Sequence, residues 1–135
     1  MTDYIHKVQY YETDKMAVVH HSNYIRWFEE ARVHWLEQIG CPMQEIEAAD
    51  TVSPVMSVNC NYHSMVRFGE EVIVKLTIGK FNGIKLEINY EIVDKETGEL
   101  RTTGNSTHCF IDSKGNLLSL KKHRPEIYEK LIKGV

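Results

Sequence analysis

The chain has 135 residues and a net charge of −3, with 42% hydrophobic and 26% charged residues. These values are ordinary for a soluble globular protein, so we expect one domain over residues 1–135. The negative charge argues against non-specific nucleic-acid binding. The sequence has neither an apolar run of the roughly 20 residues that a membrane span needs nor the apolar block of a signal peptide, so we expect no membrane span and a cytoplasmic location.

The N-terminal third predicts a strand, a loop and a long helix. Residues 4–11 alternate loosely between two faces, as in a strand, and a connecting loop follows over 12–22. Over about 23–39, apolar residues recur with a helical period, which predicts one long amphipathic helix. Gly40 ends this helix, and Pro42 prevents its continuation. Burying its large side chains requires a broad partner surface such as a sheet.

The rest of the chain changes to the two-residue period of strands. Asn82-Gly83 and Thr97-Gly98 are typical turns of β-hairpins. One long helix and one sheet with a polar outer face indicate an α+β domain of two layers. A short C-terminal helix starts near Pro125, because proline suits the first helical turn. The predicted strands cover residues 56–63, 72–78, 85–92 and about 99–112, and residues 43–49 are predicted as a short second helix.

A lone acid, Asp14, lies between the first strand and the long helix. We expect the strand to deliver this carboxylate beside the helix N-terminus, where the first backbone N–H groups have no partner within the helix. A carboxylate and such donors are two of the groups needed to attack a carbonyl and to stabilise the resulting oxyanion. A thioester would suit them, with Asp14 attacking carbon or activating water. Spacing alone leaves open the alternative of an aspartate that only stabilises a turn.

Two other polar pairs have more than one interpretation. One histidine of His20-His21 is interpreted as a loop hydrogen-bonder that could hold the substrate carbonyl. Adjacent histidines point in different directions, so no metal site is predicted, and a site shared with nearby acids is the alternative. Glu29 and Arg32 are interpreted as an intrahelical or intersubunit ion pair, with Glu29 as a second catalytic acid in the alternative. The motifs of phosphate loops, serine hydrolases and zinc peptidases are absent, which excludes most familiar hydrolase classes.

Several short motifs resemble one known family. They are Tyr11-Glu-Thr-Asp14, then Val18-Val19-His20-His21-Ser22-Asn23-Tyr24, then Phe28-Glu29-Glu30-Ala31-Arg32. Together they resemble the hot-dog-fold thioesterases, and most of all the branch of 4-hydroxybenzoyl-CoA thioesterases and YbgC-like acyl-CoA thioesterases. The segment Tyr62–Gly69 is similar, more weakly, to that family's Tyr-x-x-Pro-x-x-Tyr-Gly pattern.

The resemblance implies a hot-dog fold, in which a five-stranded antiparallel sheet wraps around the long helix. It also implies an acyl-CoA thioesterase that releases free acid and CoA without a metal or another cofactor. Asp14 falls on the family's catalytic aspartate, and backbone N–H groups around the second catalytic position, His21, would bind the thioester oxygen. The expected assembly is a homodimer or homotetramer with its active site at the subunit interface. The implied substrate-binding residues are His20, Asn23, Tyr24, Tyr62, Met65 and Phe68.

The chain departs from the family at a few positions on the expected pocket rim. Many relatives have glycine in place of Ala17 and tyrosine in place of His20, while Met65 and Phe68 replace a proline and a tyrosine. These changes affect the expected acyl specificity more than the reaction. A thioesterase for acyl-carrier protein and a non-catalytic acyl-CoA-binding protein remain as alternatives. The carboxylate of Asp14 is the feature that favours catalysis over binding alone.

Overall fold

The computed structural model describes residues 2–135 and contains one five-stranded sheet with helices packed against it. The strands are β1 (Tyr4–Lys7), β2 (Val55–Tyr62), β3 (Glu71–Phe81), β4 (Leu86–Asp94) and β5 (Leu100–His108), and the helices are α1 (Ser22–Gln38), α2 (Met43–Ala48), α3 (Leu120–His123) and α4 (Pro125–Gly134). The strand order is β1-β3-β4-β5-β2, and all pairings are antiparallel. The α+β architecture predicted from the sequence is therefore confirmed, and the long helix begins and ends within one residue of the predicted range.

Helix α1 packs closely on the centre of the sheet. Trp27 and Phe28 are fully buried, and the ring of Phe28 stacks on that of Tyr90 with 4.2 Å between centroids. A Cβ atom at Gly104 of β5 would lie 2.7 Å from the Phe28 ring and 2.6 Å from the carbonyl oxygen of Asn59. The missing side chain at Gly104 therefore allows α1 to approach the sheet closely.

The predicted first strand is wrong beyond Lys7. The chain leaves the sheet there and forms a 3-10 turn over Tyr10–Glu12. The turn forms because the Glu12 N–H donates to the Gln9 carbonyl at 3.0 Å, while the Glu12 carboxylate accepts the Gln9 N–H at 2.7 Å. The last strand is also shorter than predicted, since it ends at His108. Helix α3 was not predicted.

A buried chain of polar groups crosses the core between α1 and the sheet. The Arg32 guanidinium donates to the Tyr90 hydroxyl at 3.1 Å, and that hydroxyl lies 2.7 Å from Ser106 Oγ. Ser106 Oγ in turn lies 2.8 Å from His108 Nε2. Burial, followed by the positive charge of Arg32, lowers the pKa of His108 to about 4, so this histidine is neutral at physiological pH.

The Arg32 interaction differs from the intrahelical form of the predicted ion pair with Glu29, and the intersubunit form stays a prediction. Within residues 2–135, the Arg32 guanidinium contacts Tyr90 and forms no ion pair with Glu29.

No helix within residues 2–135 is long and apolar enough to cross a membrane.

Candidate active site

Asp14 lies in a tight turn of the segment that joins the 3-10 turn to α1, and we call residues 13–19 the acid loop. Asp14 Oδ1 accepts the Met16 N–H at 2.8 Å. The Asp14 carbonyl accepts the Ala17 N–H at 3.0 Å, and the Asp14 N–H donates to the Val18 carbonyl at 2.9 Å. Ala17 has a φ of 61°, in the left-handed region where glycine is less strained. One oxygen of the exposed carboxylate therefore stabilises the turn, and Oδ2 makes no hydrogen bond within residues 2–135.

The buried carboxylate of Glu12 joins the acid loop to the core. Its Oε1 accepts hydrogen bonds from the Gln9 N–H at 2.7 Å and His6 Nε2 at 2.8 Å, and its Oε2 accepts one from Trp27 Nε1 at 2.7 Å. Burial by itself raises the pKa of Glu12, but the hydrogen bonds from Gln9, His6 and Trp27 outweigh burial and lower the pKa below its ordinary value. An ionised group with three donors thus holds the base of the loop between β1 and α1.

The backbone of Glu12 connects both ends of the acid loop to the start of α1. Its carbonyl oxygen accepts the His20 N–H at 2.9 Å and the Asn23 side-chain amide at 2.8 Å. Thr13 and Val19 pair across the loop as an isolated bridge. Asn23 is buried by these contacts, so its amide faces the loop backbone.

The N-terminus of α1 presents backbone groups beside two histidines. The Asn23 N–H donates to the His20 carbonyl at 3.0 Å, and the Ser22 N–H lies 3.3 Å from His20 Nδ1. The His21 N–H has no hydrogen-bond partner in the described part of the chain, whereas the His21 carbonyl accepts the Tyr62 hydroxyl at 3.2 Å. Burial and the neighbouring Cys60 raise the pKa of Tyr62 to about 12, so its hydroxyl remains a donor at neutral pH.

The acid loop and the start of α1 border an open cleft of about 390 Å³. The acid loop, the start of α1, the end of β2 and the residues after β2 form its walls. His63 and Ser64 also line it and were not predicted as site residues. The predicted site residues on this lining are Asp14, His20, His21, Tyr24, Tyr62 and Met65.

Three other predicted or alternative site residues lie elsewhere. Asn23 is buried behind the acid loop. Phe68 is 54% exposed and packs edge-on against Tyr10, with 5.6 Å between ring centroids. Glu29 lines a separate concavity together with Tyr4. Among residues 2–135, no group of three or more histidine, cysteine, aspartate or glutamate side chains has an arrangement suited to a metal ion.

An acid loop facing the N-terminus of a central helix that packs on a five-stranded antiparallel sheet is the arrangement expected of a hot-dog-fold thioesterase. The chain belongs to the thioesterase-like superfamily, whose family model matches residues 8–131. The putative acyl-CoA thioesterase YneP of Bacillus subtilis is 33% identical over 106 residues, which cover 78% of this chain and 76% of YneP.

Solved structures agree with this assignment. The DHNA-CoA thioesterase of Staphylococcus aureus has a TM-score of 0.90 and 33% identity, covering 96% of this chain and 87% of its own. A hypothetical protein from Thermus thermophilus has a TM-score of 0.90 and 30% identity, with 100% of both chains covered. The hot-dog fold and the enzyme class predicted from the sequence, a thioester hydrolase, are thereby confirmed.

Proposed function

We propose that the protein is an acyl-CoA thioesterase that hydrolyses an acyl-CoA to the free acid and CoA. The observation that carries the proposal is the shared cleft, which is lined both by Asp14 and by His21 and Tyr24 at the start of α1. This lining supports a site in which a carboxylate attacks a carbonyl while a backbone N–H beside it stabilises the oxyanion. The name of the YneP relative supports an acyl-CoA as the substrate.

In the proposed reaction, Asp14 acts as the nucleophile or the general base. Its Oδ1 is engaged by the Met16 N–H, so Oδ2 is the atom that attacks the thioester carbon or takes a proton from water. The carbonyl oxygen becomes an oxyanion that accepts a hydrogen bond from the His21 N–H, which has no partner among the described residues and lies directly before α1. Each such donor contributes roughly 3 kcal/mol to the transition state. If Asp14 is the nucleophile, the CoA thiolate leaves behind an acyl–Asp14 anhydride, which water hydrolyses to the free acid and the regenerated carboxylate. If Asp14 is the general base, the activated water adds to the thioester carbon, and the thiolate leaves with the proton that Asp14 took, which releases the acid directly.

The remaining predicted site residues have different proposed roles. His20, Tyr24, Tyr62 and Met65 contact the substrate as parts of the cleft walls. Asn23 acts as a positioning residue, because its amide holds the Glu12 carbonyl at the base of the acid loop. Phe68 belongs to the outer rim, where its exposed ring is available to a long acyl group or to the CoA arm.

We also infer a homodimer or homotetramer whose subunit interface borders the cleft. Strand β2 is an edge of the sheet, and almost all of its residues are exposed. An exposed edge strand with apolar side chains favours pairing with a second chain. Tyr62 lies at the end of β2 and lines the cleft, so pairing along β2 brings a second copy to the cleft. The exposed apolar residues of β2 are Val55, Met56, Val58 and Tyr62.

Sedimentation velocity tests the assembly. The purified protein is expected to sediment as a dimer or tetramer, and Val58→Lys is expected to shift it towards the monomer, because paired edges would bury the lysine charge. Lys75→Glu, an exposed change on β3, is the control and is expected to keep the wild-type mass. A monomeric wild type would contradict the inferred assembly.

Thiol release across a substrate panel tests the reaction. Short, medium and long aliphatic acyl-CoA esters and an aromatic acyl-CoA are incubated with the protein, and free thiol is measured. The same acyl groups are also presented on acyl-carrier protein. Faster thiol release from one or more CoA esters than from the matching carrier-protein esters supports the proposal. Faster release from the carrier protein would instead identify a carrier-protein thioesterase, and tight binding without release would identify a non-catalytic acyl-CoA-binding protein.

A further inference from the structure

One cleft wall is built from residues 63–70, which we call the wall segment. Its first three residues line the cleft directly. The Val66 carbonyl accepts the Val19 N–H at 2.8 Å, and the Ala17 carbonyl accepts the Phe68 N–H at 3.3 Å. The wall segment therefore lines the cleft and is also hydrogen-bonded to the acid loop.

A single side chain, Arg101 of β5, holds the wall segment near both of its ends. Nη1 donates to the Met65 carbonyl at 2.8 Å and to Ser64 Oγ at 3.3 Å, and Nη2 donates to the Glu70 carboxylate at 2.9 Å. The Arg101 side chain is only 11% exposed. A planar guanidinium can satisfy acceptors in these diverging directions, which the single ammonium of lysine cannot reproduce.

Asp94, at the end of β4, fixes the guanidinium from the other side. It is buried, and its Oδ2 accepts Arg101 Nη2 at 2.9 Å. Its Oδ1 accepts the N–H groups of Glu96 and Thr97, both at 2.9 Å. The hydrogen bond from Thr97, followed by that from Arg101, holds the pKa of Asp94 well below its usual range. Because the backbone N–H groups of the turn after β4 hold Asp94, Asp94 in turn holds the Arg101 guanidinium in a fixed position relative to the sheet.

We propose that Arg101 is a positioning residue that sets acyl selectivity by fixing the wall segment at Met65. This inference rests on the proposed thioesterase function. The acid loop has its own attachment to the core through Glu12, so loosening the wall displaces Met65 more than Asp14. The kcat/KM for acyl groups long enough to reach the wall segment therefore depends on Arg101, whereas the kcat/KM for short acyl groups held beside Asp14 does not.

The kinetic test compares Arg101→Met and Arg101→Lys with a control, Lys95→Met. The control removes an exposed pair in which Lys95 Nζ lies 3.4 Å from Glu71. The readout is the ratio of kcat/KM for a long acyl-CoA to that for acetyl-CoA, which does not depend on the fraction of folded enzyme. Both Arg101 variants are expected to change this ratio by about 10-fold or more, because displacement of a contact surface alters transition-state binding of the larger substrate. An unchanged ratio in both variants, equal to the control, would overturn the proposal.

Backbone hydrogen exchange tests the positioning role without any substrate. In Arg101→Met, the amides of Val19 and Phe68 are expected to exchange about 10-fold faster relative to that of Ile88 in β4, because local opening of the wall segment breaks their hydrogen bonds. Equal acceleration at all three amides would indicate only global destabilisation and would refute the proposal. A wild type that hydrolyses no acyl-CoA would reject the proposed function, and the exchange data would still decide whether Arg101 positions the wall.

Discussion

Replacing Glu12 by glutamine tests whether an ionised buried side chain holds the acid loop. The carboxylate has three donors around it: the Gln9 N–H and His6 Nε2 at Oε1, and Trp27 Nε1 at Oε2. A glutamine can place its carbonyl at the Oε1 position and keep two of these bonds. Its NH₂ group then faces the indole N–H of Trp27, so two donors confront each other in the core.

The structure sets the size of the expected loss. A buried donor left without an acceptor costs about 1–3 kcal/mol, and the two retained bonds lose their charge assistance, so we expect Glu12→Gln to lower the free energy of unfolding by about 2–4 kcal/mol. Glu12→Ala is expected to cost more because all three donors lose their acceptor. The matched control is Glu37→Gln, since Glu37 lies on the exposed face of α1. We expect a change below about 0.5 kcal/mol for this control.

Urea unfolding at pH 7 and fixed protein concentration measures the difference. The pKa of Glu12 is lowered in the folded protein, so its contribution is present above the ordinary pKa of 4.5 and is lost as the pH falls through the folded value. The gap between wild type and Glu12→Gln should therefore shrink in acid. A Glu12→Gln protein as stable as the Glu37→Gln control at pH 7 would refute the reasoning.

Two other predictions concern the helix and the sheet. Because burial lowers the pKa of His108 from 6.5 to about 4, stability should be full above pH 6.5 and fall as the pH decreases towards 4. Urea unfolding at pH 5 should show a loss of about 2 kcal/mol from this group, and His108→Asn should remove that part of the pH dependence. Gly104→Ala should destabilise the fold by about 1–3 kcal/mol in thermal unfolding, since its Cβ would overlap the Phe28 ring; a change below about 0.5 kcal/mol would contradict the close approach of α1.

The parts of the fold that follow from local pattern were predictable. Helix α1 was predicted because its apolar period is long and Gly40 marks its end. The early end of β1 was not, because it depends on Glu12, whose partner Trp27 lies fifteen residues away along the chain. An alternating segment that continues to residue 11 gives no local sign that a buried carboxylate will bend it into a turn.

The candidate site shows the same division. Motif resemblance predicted a site at Asp14 and the start of α1, and six of the eight predicted site residues line one cleft. The motif resemblance did not indicate that the Asn23 side-chain amide would turn inward and donate to the Glu12 carbonyl. Arg101 also gave no signal, because in the sequence it is one polar residue of a predicted strand, and its acceptors belong to segments that meet only in the folded chain.

Single-turnover thiol release by Asp14→Asn tests the central claim most directly. Asparagine keeps the turn, because its amide oxygen can still accept the Met16 N–H, but it removes the charge and the basic oxygen. We expect release from the best acyl-CoA to fall by about 10²–10⁴-fold while the unfolding midpoint stays near that of wild type. Asp3→Asn, an exposed change outside the cleft, should release thiol at the wild-type rate. Release by Asp14→Asn at that same rate would contradict the account.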